Sequence, residues 1–404
     1  MRRKRVFLIV TMLYILDTIF PLFADLLTIP VWLPSLGAFL VMLILYPSAF
    51  ANKTMVYFVI YALLLSIYLF AGRPLTIGIG TVADRRKILI EFAFILPTLS
   101  IFSVLYYLKD ISLTKRIVMW SVVILYVSFV IAVPLMLQYN SLREALDLEG
   151  DELGVPGLPG YSLMHAYTLF LPTICYATKK FKGKRKLWFM LALCALCFVV
   201  YDTFVTASLL IMIALLIFTL FYSERNSTHF WGFFGIGAGI FIILYEMGFF
   251  ILLIDWIYPL FRGTPVAGKL IDIQTSMYMN EVSGGNLVTR QEMHAISWAS
   301  FFENPIWGTS VVGRHSVLID RLGGMGIVVF FPFLMMIITA LRRHMKAFYT
   351  RTSRMFFMAG IIAGFLFMYG KGIWGSESWL MFLVLMPFGL QVFERENNDG
   401  RIVA

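Results

Sequence analysis

The chain has 404 residues, of which 60% are hydrophobic and only 14% charged, and its mean hydropathy is +0.84. Soluble domains carry about 25% charged residues, so the composition excludes a water-soluble globular protein and predicts a polytopic membrane protein. The formal net charge of +10 then belongs to basic cytoplasmic loops rather than to a nucleic-acid surface.

Crossing a bilayer takes roughly 20 apolar residues, and the sequence offers twelve such segments: Val6–Phe23, Val31–Phe50, Met55–Ala71, Ile88–Leu108, Ile117–Leu137, Ser162–Thr178, Leu187–Tyr201, Thr206–Tyr222, Phe230–Phe250, Ser316–Leu341, Met355–Tyr369 and Trp379–Phe393. The first follows MRRKR and is too long, and too poor in small residues at its end, for a cleavable signal peptide. The seventh and eighth share one apolar run, split here at Tyr201-Asp202-Thr203. The expected fold class is therefore all-α: one polytopic transmembrane domain, 1–404, of about twelve helices.

Orientation follows the basic residues. MRRKR, KDISLTKR, KKFKGKRK and RRHMKAFYTRTSR would all lie on the same side if both termini are cytoplasmic, and they hold most of the 33 lysines and arginines. His229 and His344 would then be hydrated residues on that side. Cys175, Cys194 and Cys197 sit inside apolar runs and read as small buried hydrophobes, neither disulfide nor metal ligands.

Three segments on the opposite side differ in kind. Gly72–Lys87 is short and basic, and Gln138–Tyr161 is acidic and then turns through Pro and Gly. The third, 251–315, is longer than a connection requires and rich in aromatics, which marks it as an ordered, functional external loop carrying short surface helices. Thr289-Arg290-Gln291-Glu292 fits a capping box, and Met293, Ile296, Ala299 and Phe302 continue as an apolar stripe. Asn304-Pro305 would end that helix. Arg290 would lie in its first turn, where free N–H groups and the dipole favour an anion that a guanidinium can bind bidentately. The plainer role is snorkelling to lipid headgroups.

His315 would stand at the outer mouth of the tenth span. An imidazole there suits a general base, or simply a hydrogen bond to a carbonyl. His165 and His294 could also face the same compartment. The sequence holds no metal-ligand cluster, no DxD carboxylate pair, no Walker loop and no G-x-S-x-G, so no cofactor and no metal are expected. Nucleotide donors are absent outside a bacterium. The energised donors there are lipid diphosphate sugars, whose leaving group needs cationic stabilisation and whose acceptor hydroxyl needs a base.

The order of residues resembles the O-antigen ligase and polysaccharide repeat-unit polymerase superfamily (Wzy/WaaL-like membrane glycosyltransferases). Arg290 opens a helix carrying Trp298. Phe302-x-Asn304-Pro305-Ile306-x-Gly308 is similar to the family's F..NP(L/I).G, and His315-Ser316-x-x-Ile319-x-x-Leu322-x-x-x-Gly326-Ile327 to its HN..L..L...GI. The stretch covers about a tenth of the chain. The resemblance implies inverting, metal-independent transfer of a glycan from undecaprenyl diphosphate, with Arg290 on the diphosphate and His315 activating the acceptor hydroxyl. It also implies an active site facing outward from the bacterial plasma membrane, and a flippase and chain-length regulator of the same pathway as partners. Two positions depart from the pattern. Ser316 replaces the usual Asn, and Thr206-Ala207-Ser208-Leu209 lacks the family's second diphosphate arginine. Arg73, Arg85 and Arg86 are the first candidates to supply that charge, with Arg314 as the next. The expected function is repeat-unit polymerase. Ligase-type transfer to a different acceptor is the alternative, and a lipid-linked oligosaccharide flippase, using Asp17, Glu91 or Glu246 in its spans, is the competitor from another class.

Overall fold

The computed structural model describes residues 2–23, 32–70, 76–77, 81–82, 85–136, 161–202, 206–222, 249–263, 267–268, 270–271, 286–313, 315–370 and 374–399; the backbone alone is described at 32, 76–77, 81–82, 85–91, 136, 161, 202, 206–207, 249–252 and 286–291. The chain runs through α1 (Arg2–Ile19), α2 (Trp32–Leu45), α3 (Lys53–Phe70), strands β1 (Thr76–Ile77) and β2 (Thr81–Val82), then α4 (Arg85–Leu108), α5 (Ile111–Met136), α6 (Tyr161–Lys180), α7 (Gly183–Asp202) and α8 (Thr206–Phe221). It continues with α9 (Phe249–Ile257), α10 (Asn286–Glu303), β3 (Val311–Val312), α11 (Val317–Ala347), α12 (Arg351–Gly370), α13 (Ser376–Leu380) and α14 (Met386–Asp399), the last two joined by a π turn at Met381–Leu385.

The protein is a helical membrane protein. Among the described residues five helices are long and apolar enough to cross a bilayer: Lys53–Phe70, Ile111–Leu135, Val317–Ala347, Arg351–Gly370 and Ser376–Glu396. Leu33–Leu45, Phe92–Leu108 and Ser208–Phe221 are shorter apolar helices. Their outward faces carry Ile44, Ile67, Leu210 and Leu220, all largely exposed. A water-soluble bundle would present polar residues there. The apolar run that contains Tyr201 divides as expected, with α7 ending at Asp202 and α8 starting at Thr206. The segment 138–160 and most of 230–250, with His229 and Glu246, lie outside the described residues.

Short polar contacts gather the basic turns at one end of the bundle. Lys4 pairs with Asp110 at 2.6 Å, and Glu396 takes both Lys115 at 2.9 Å and Arg185 at 3.2 Å. The hydrogen bond from Lys4 and the Leu113 N–H hold the Asp110 carboxyl below its usual range. Nearby, Glu394 is fully buried and accepts from Tyr349 N at 3.0 Å, from Thr350 N and from Ser353 Oγ at 2.7 Å. One carboxylate thus satisfies free donors at the start of α12, where the helix dipole favours negative charge.

His344 departs from the expectation of a hydrated loop residue. α11 continues past Leu341 to Ala347 and carries the ring into the bundle, where it is fully buried. Nε2 bonds the Leu383 carbonyl at 2.9 Å, and Nδ1 lies 2.8 Å from Tyr106 Oη and 3.0 Å from Gln391 Nε2. A carbonyl can only accept, so Nε2 carries the proton and Nδ1 accepts. Replacing His344 with Ala should destabilise the protein by about 3–5 kcal/mol, through a cavity and an orphaned carbonyl. Tyr106→Phe should cost only about 1 kcal/mol, because Gln391 still reaches Nδ1. Thermal unfolding in detergent would compare the two, and a Tyr106→Phe loss as large as that of His344→Ala would mean that Gln391 does not hold Nδ1 in its place.

Candidate functional site

At the opposite end of the bundle, the segment from Asn304 to Ser316 is fastened along its length. The cause is a break in α11 at Gly326, where φ is 68° and ψ is 178°. A regular helix would bond Ile327 N to Gly323 O and Val328 N to Gly324 O. Here Ile327 N bonds Pro305 O at 2.9 Å and Val328 N bonds Ile306 O at 3.3 Å. The released carbonyls of Gly323 and Gly324 accept from Thr309 N at 3.4 Å and Ser310 N at 3.1 Å. Tyr68 of α3 donates to Gly324 O and lies 2.8 Å from Ser310 Oγ. The turn itself is closed by Gly308 N on Asn304 O at 2.7 Å and Trp307 N on Asn304 Oδ1 at 3.2 Å.

The sequence pattern Asn304-Pro305-x-x-Gly308 and Gly326-Ile327 therefore has a structural cause. The turn and the broken helix exchange backbone hydrogen bonds, and both glycines have positive φ with no room for a Cβ.

Beyond the turn, β3 pairs in parallel with β1, Thr76 against Val311 and Ile77 against Val312, while β1 pairs antiparallel with β2. The early basic loop is thus stitched to the chain just ahead of His315. Arg85 and Arg86 open α4 three residues after β2, their side chains being outside the described set. Arg73 and Arg314 lie outside the described residues altogether.

Helix α10 begins at Asn286, ahead of the expected cap at Thr289. Arg290 is its fifth residue, so its own N–H is not one of the four free donors, and the capping-box argument for anion binding there does not hold. The expected apolar stripe is not the buried face: Met293 and Ile296 are only half-buried, and its later half is exposed. Phe302 is 72% exposed and Ala299 is exposed, whereas Ser297 and Ser300 are buried. The reason is close backbone approach. A Cβ on Gly313 would lie 1.9 Å from Met293 O, and one on Gly323 would lie 2.0 Å from Ser297 O. Small residues let backbones meet this way in membrane proteins, and they leave no space for large side chains on the buried face. Trp298, Phe301 and Phe302 cluster instead, Trp298 stacked on Phe302 with centroids 5.9 Å apart.

His315 is half-buried, immediately before the Ser316 N-cap of α11. Ser316 Oγ accepts from Ile319 N at 3.1 Å and donates to Met368 O at 3.2 Å. The neighbouring residues in the last turn of α12 meet two other histidines. His165 is buried, stacked on Phe367 at 4.7 Å, with Nδ1 3.0 Å from Ser208 Oγ. His294 lies edge-on to Tyr369 at 5.3 Å, and its Nε2 is buried with no hydrogen-bond partner among the described residues. His165, His294 and Ser316 thus converge on one turn, Phe367–Tyr369.

Three polar groups at this end were not singled out from sequence. Asp320 sits in the first turn of α11, bonded to Ser297 and Ser316. Arg321 is buried beside it, with Nε 3.2 Å from Tyr61 Oη, Nη1 2.9 Å from Val317 O, and the guanidinium 4.6 Å above the Phe333 ring. Glu377 accepts from Ser162 Oγ at 3.1 Å, which itself accepts from Gly375 N at 3.1 Å. A cation and two carboxylates within apolar spans are the signal that could have found them. Among the described residues no group of three or more His, Cys, Asp or Glu side chains could hold a metal ion. No protein-family model and no curated protein matches the chain.

Proposed function

We propose that the protein is a repeat-unit polymerase of a bacterial cell-surface polysaccharide, with twelve spans, both termini in the cytoplasm and its site on the outer face of the plasma membrane. The observation that carries this reading is the stitching around His315. Gly313, two residues before it, rests on the backbone of Met293, which lies one helical turn after Arg290, about 4.5 Å along the axis. β3 on the same segment pairs with the strand of the early basic loop. The segment that carries His315, the helix that carries Arg290 and a strand of the early basic loop thus meet along their backbones at one end of the bundle, which supports the reading.

The reaction needs those groups. The acceptor hydroxyl oxygen bonds to the anomeric carbon of the donor sugar while the bond from that carbon to the diphosphate breaks. The hydroxyl proton passes to His315, and the electron pair leaves with the lipid diphosphate, whose growing charge Arg290 offsets. Attack opposite the leaving group inverts the anomeric centre.

The test is chain lengthening by purified protein in lipid nanodiscs supplied with undecaprenyl-diphosphate repeat units. Guanidinium and imidazole need no divalent ion, so activity should persist in EDTA. Loss in EDTA that Mg2+ restores would overturn the reading. So would a null strain that stores lipid-linked units on the cytoplasmic leaflet, which would make the protein a flippase.

A further inference from the structure

We infer that Asp320, acting with Ser297, is the positioning residue that fixes His315 at the mouth of α11. The inference rests on the glycosyl-transfer reading for its consequence but on hydrogen bonds for its geometry. Asp320 Oδ2 accepts from Ser316 N at 2.9 Å. Asp320 Oδ1 accepts from Ser297 Oγ at 2.6 Å, and the same Ser297 oxygen accepts from Gly313 N at 2.8 Å. One carboxylate therefore holds the backbone on both sides of His315, directly at Ser316 and through one hydroxyl at Gly313.

An ordinary helix cap does not require this arrangement. Ser316 caps α11 through Ile319 N and Asp320 returns the bond to Ser316 N, as in a capping box; the link through Ser297 of another helix to Gly313 is what a cap does not supply. Ser297 belongs to α10, the helix that also carries Arg290 and His294. The carboxylate thus links the base to the helix bearing the diphosphate ligand. It thereby fixes where α10 meets the His315 segment, and such positioning is the property that proximity catalysis depends on. Both carboxylate oxygens are engaged, and Ser297 is fully buried. Charge-assisted hydrogen bonds of this kind are short and directional.

Asn at 320 keeps one acceptor oxygen and so one of the two bonds. Ser297→Ala removes the bridge to Gly313 and leaves the bond to Ser316. Three variants, Asp320→Asn, Asp320→Ala and Ser297→Ala, would be compared with Ser300→Ala, a second buried serine of α10. Two measurements are made on each. The first is kcat and KM for chain lengthening. The second is the ring 15N resonances of His315 in histidine-labelled protein in nanodiscs, assigned by their loss in His315→Gln. Asp320→Ala should lower kcat by about 100-fold, with KM nearly constant, since misplacement by about 1 Å costs that much. Asp320→Asn and Ser297→Ala should fall between it and wild type, and all three should move the His315 resonances, while Ser300→Ala leaves both unchanged. Unmoved His315 resonances in Asp320→Ala and Ser297→Ala would overturn the inference, whatever the rates. If wild-type protein lengthens no chains, the functional reading fails, and the resonances still decide whether Asp320 positions His315.

Discussion

His315→Ala should abolish chain lengthening in practice, lowering kcat by about 10²–10⁴-fold, the range for a lost general base. The donor's KM should hardly change, because the diphosphate is assigned to other groups. Arg290→Ala should cost about 10²–10³-fold, comparable to removing one stabilising donor from a developing oxyanion. Arg290→Lys should recover little of that, since an ammonium cannot form the paired bonds a guanidinium makes to phosphate oxygens. Single-turnover assays on lipid-linked repeat units would measure all three. His315→Ala protein that is folded, monodisperse and still active within a few-fold of wild type would remove the mechanism.

The second large effect is structural. Gly313→Ala places a methyl group 1.9 Å from Met293 O, 2.5 Å from Met293 C and 2.8 Å from Met293 Cα. The obstacle is backbone on both sides, so no rotamer relieves it, and α10 must lift away from the 311–316 segment. Overpacking typically costs about 1–3 kcal/mol, and a backbone-to-backbone clash lies at or beyond the upper end. The loss of activity should exceed the loss of stability, because Arg290 and His315 separate while the remaining helices stay packed. Gly37→Ala is the matched control. Gly37 lies in α2 with nothing within 4 Å of the added carbon, and alanine there should raise stability by up to about 1 kcal/mol. Thermal unfolding and chain lengthening, measured on both variants, check the pair. A fully active Gly313→Ala protein would mean that the docking of α10 is irrelevant to the site.

Hydropathy alone made the membrane helices and the break between Tyr201 and Thr206 legible, because a span has to be apolar along its whole length. The motif glycines were visible too, but not their work. Hydrogen bonds exchanged between 304–310 and 323–328 have no periodicity, so nothing in the pattern says that Pro305 O serves Ile327 N. The buried face of α10 misled for a related reason. Periodicity assumes that large apolar side chains point inward, whereas helices meeting at Gly313 and Gly323 select Ser297 and Ser300. The start of α10 was misplaced because Thr289 and Glu292 imitate a cap inside a helix already under way. Arg342, Arg343 and Lys346 make His344 read as a loop residue, yet it lies on the buried face of that turn. Asp320 and Arg321 are legible as charges inside an apolar span, but nothing in the sequence says that they meet α10 and α3.

The break at Gly326 bears on how the chain is made. A lone helix arriving in hydrocarbon with Ile327 N, Val328 N and the Gly323 and Gly324 carbonyls unbonded would carry an expense of several kcal/mol per group. The turn that answers those groups, Asn304–Ser310, precedes them in the chain and so leaves the ribosome first. The break and the turn that answers it therefore have to form together, and a chain cut off between the two would lack the groups that Gly326 exposes.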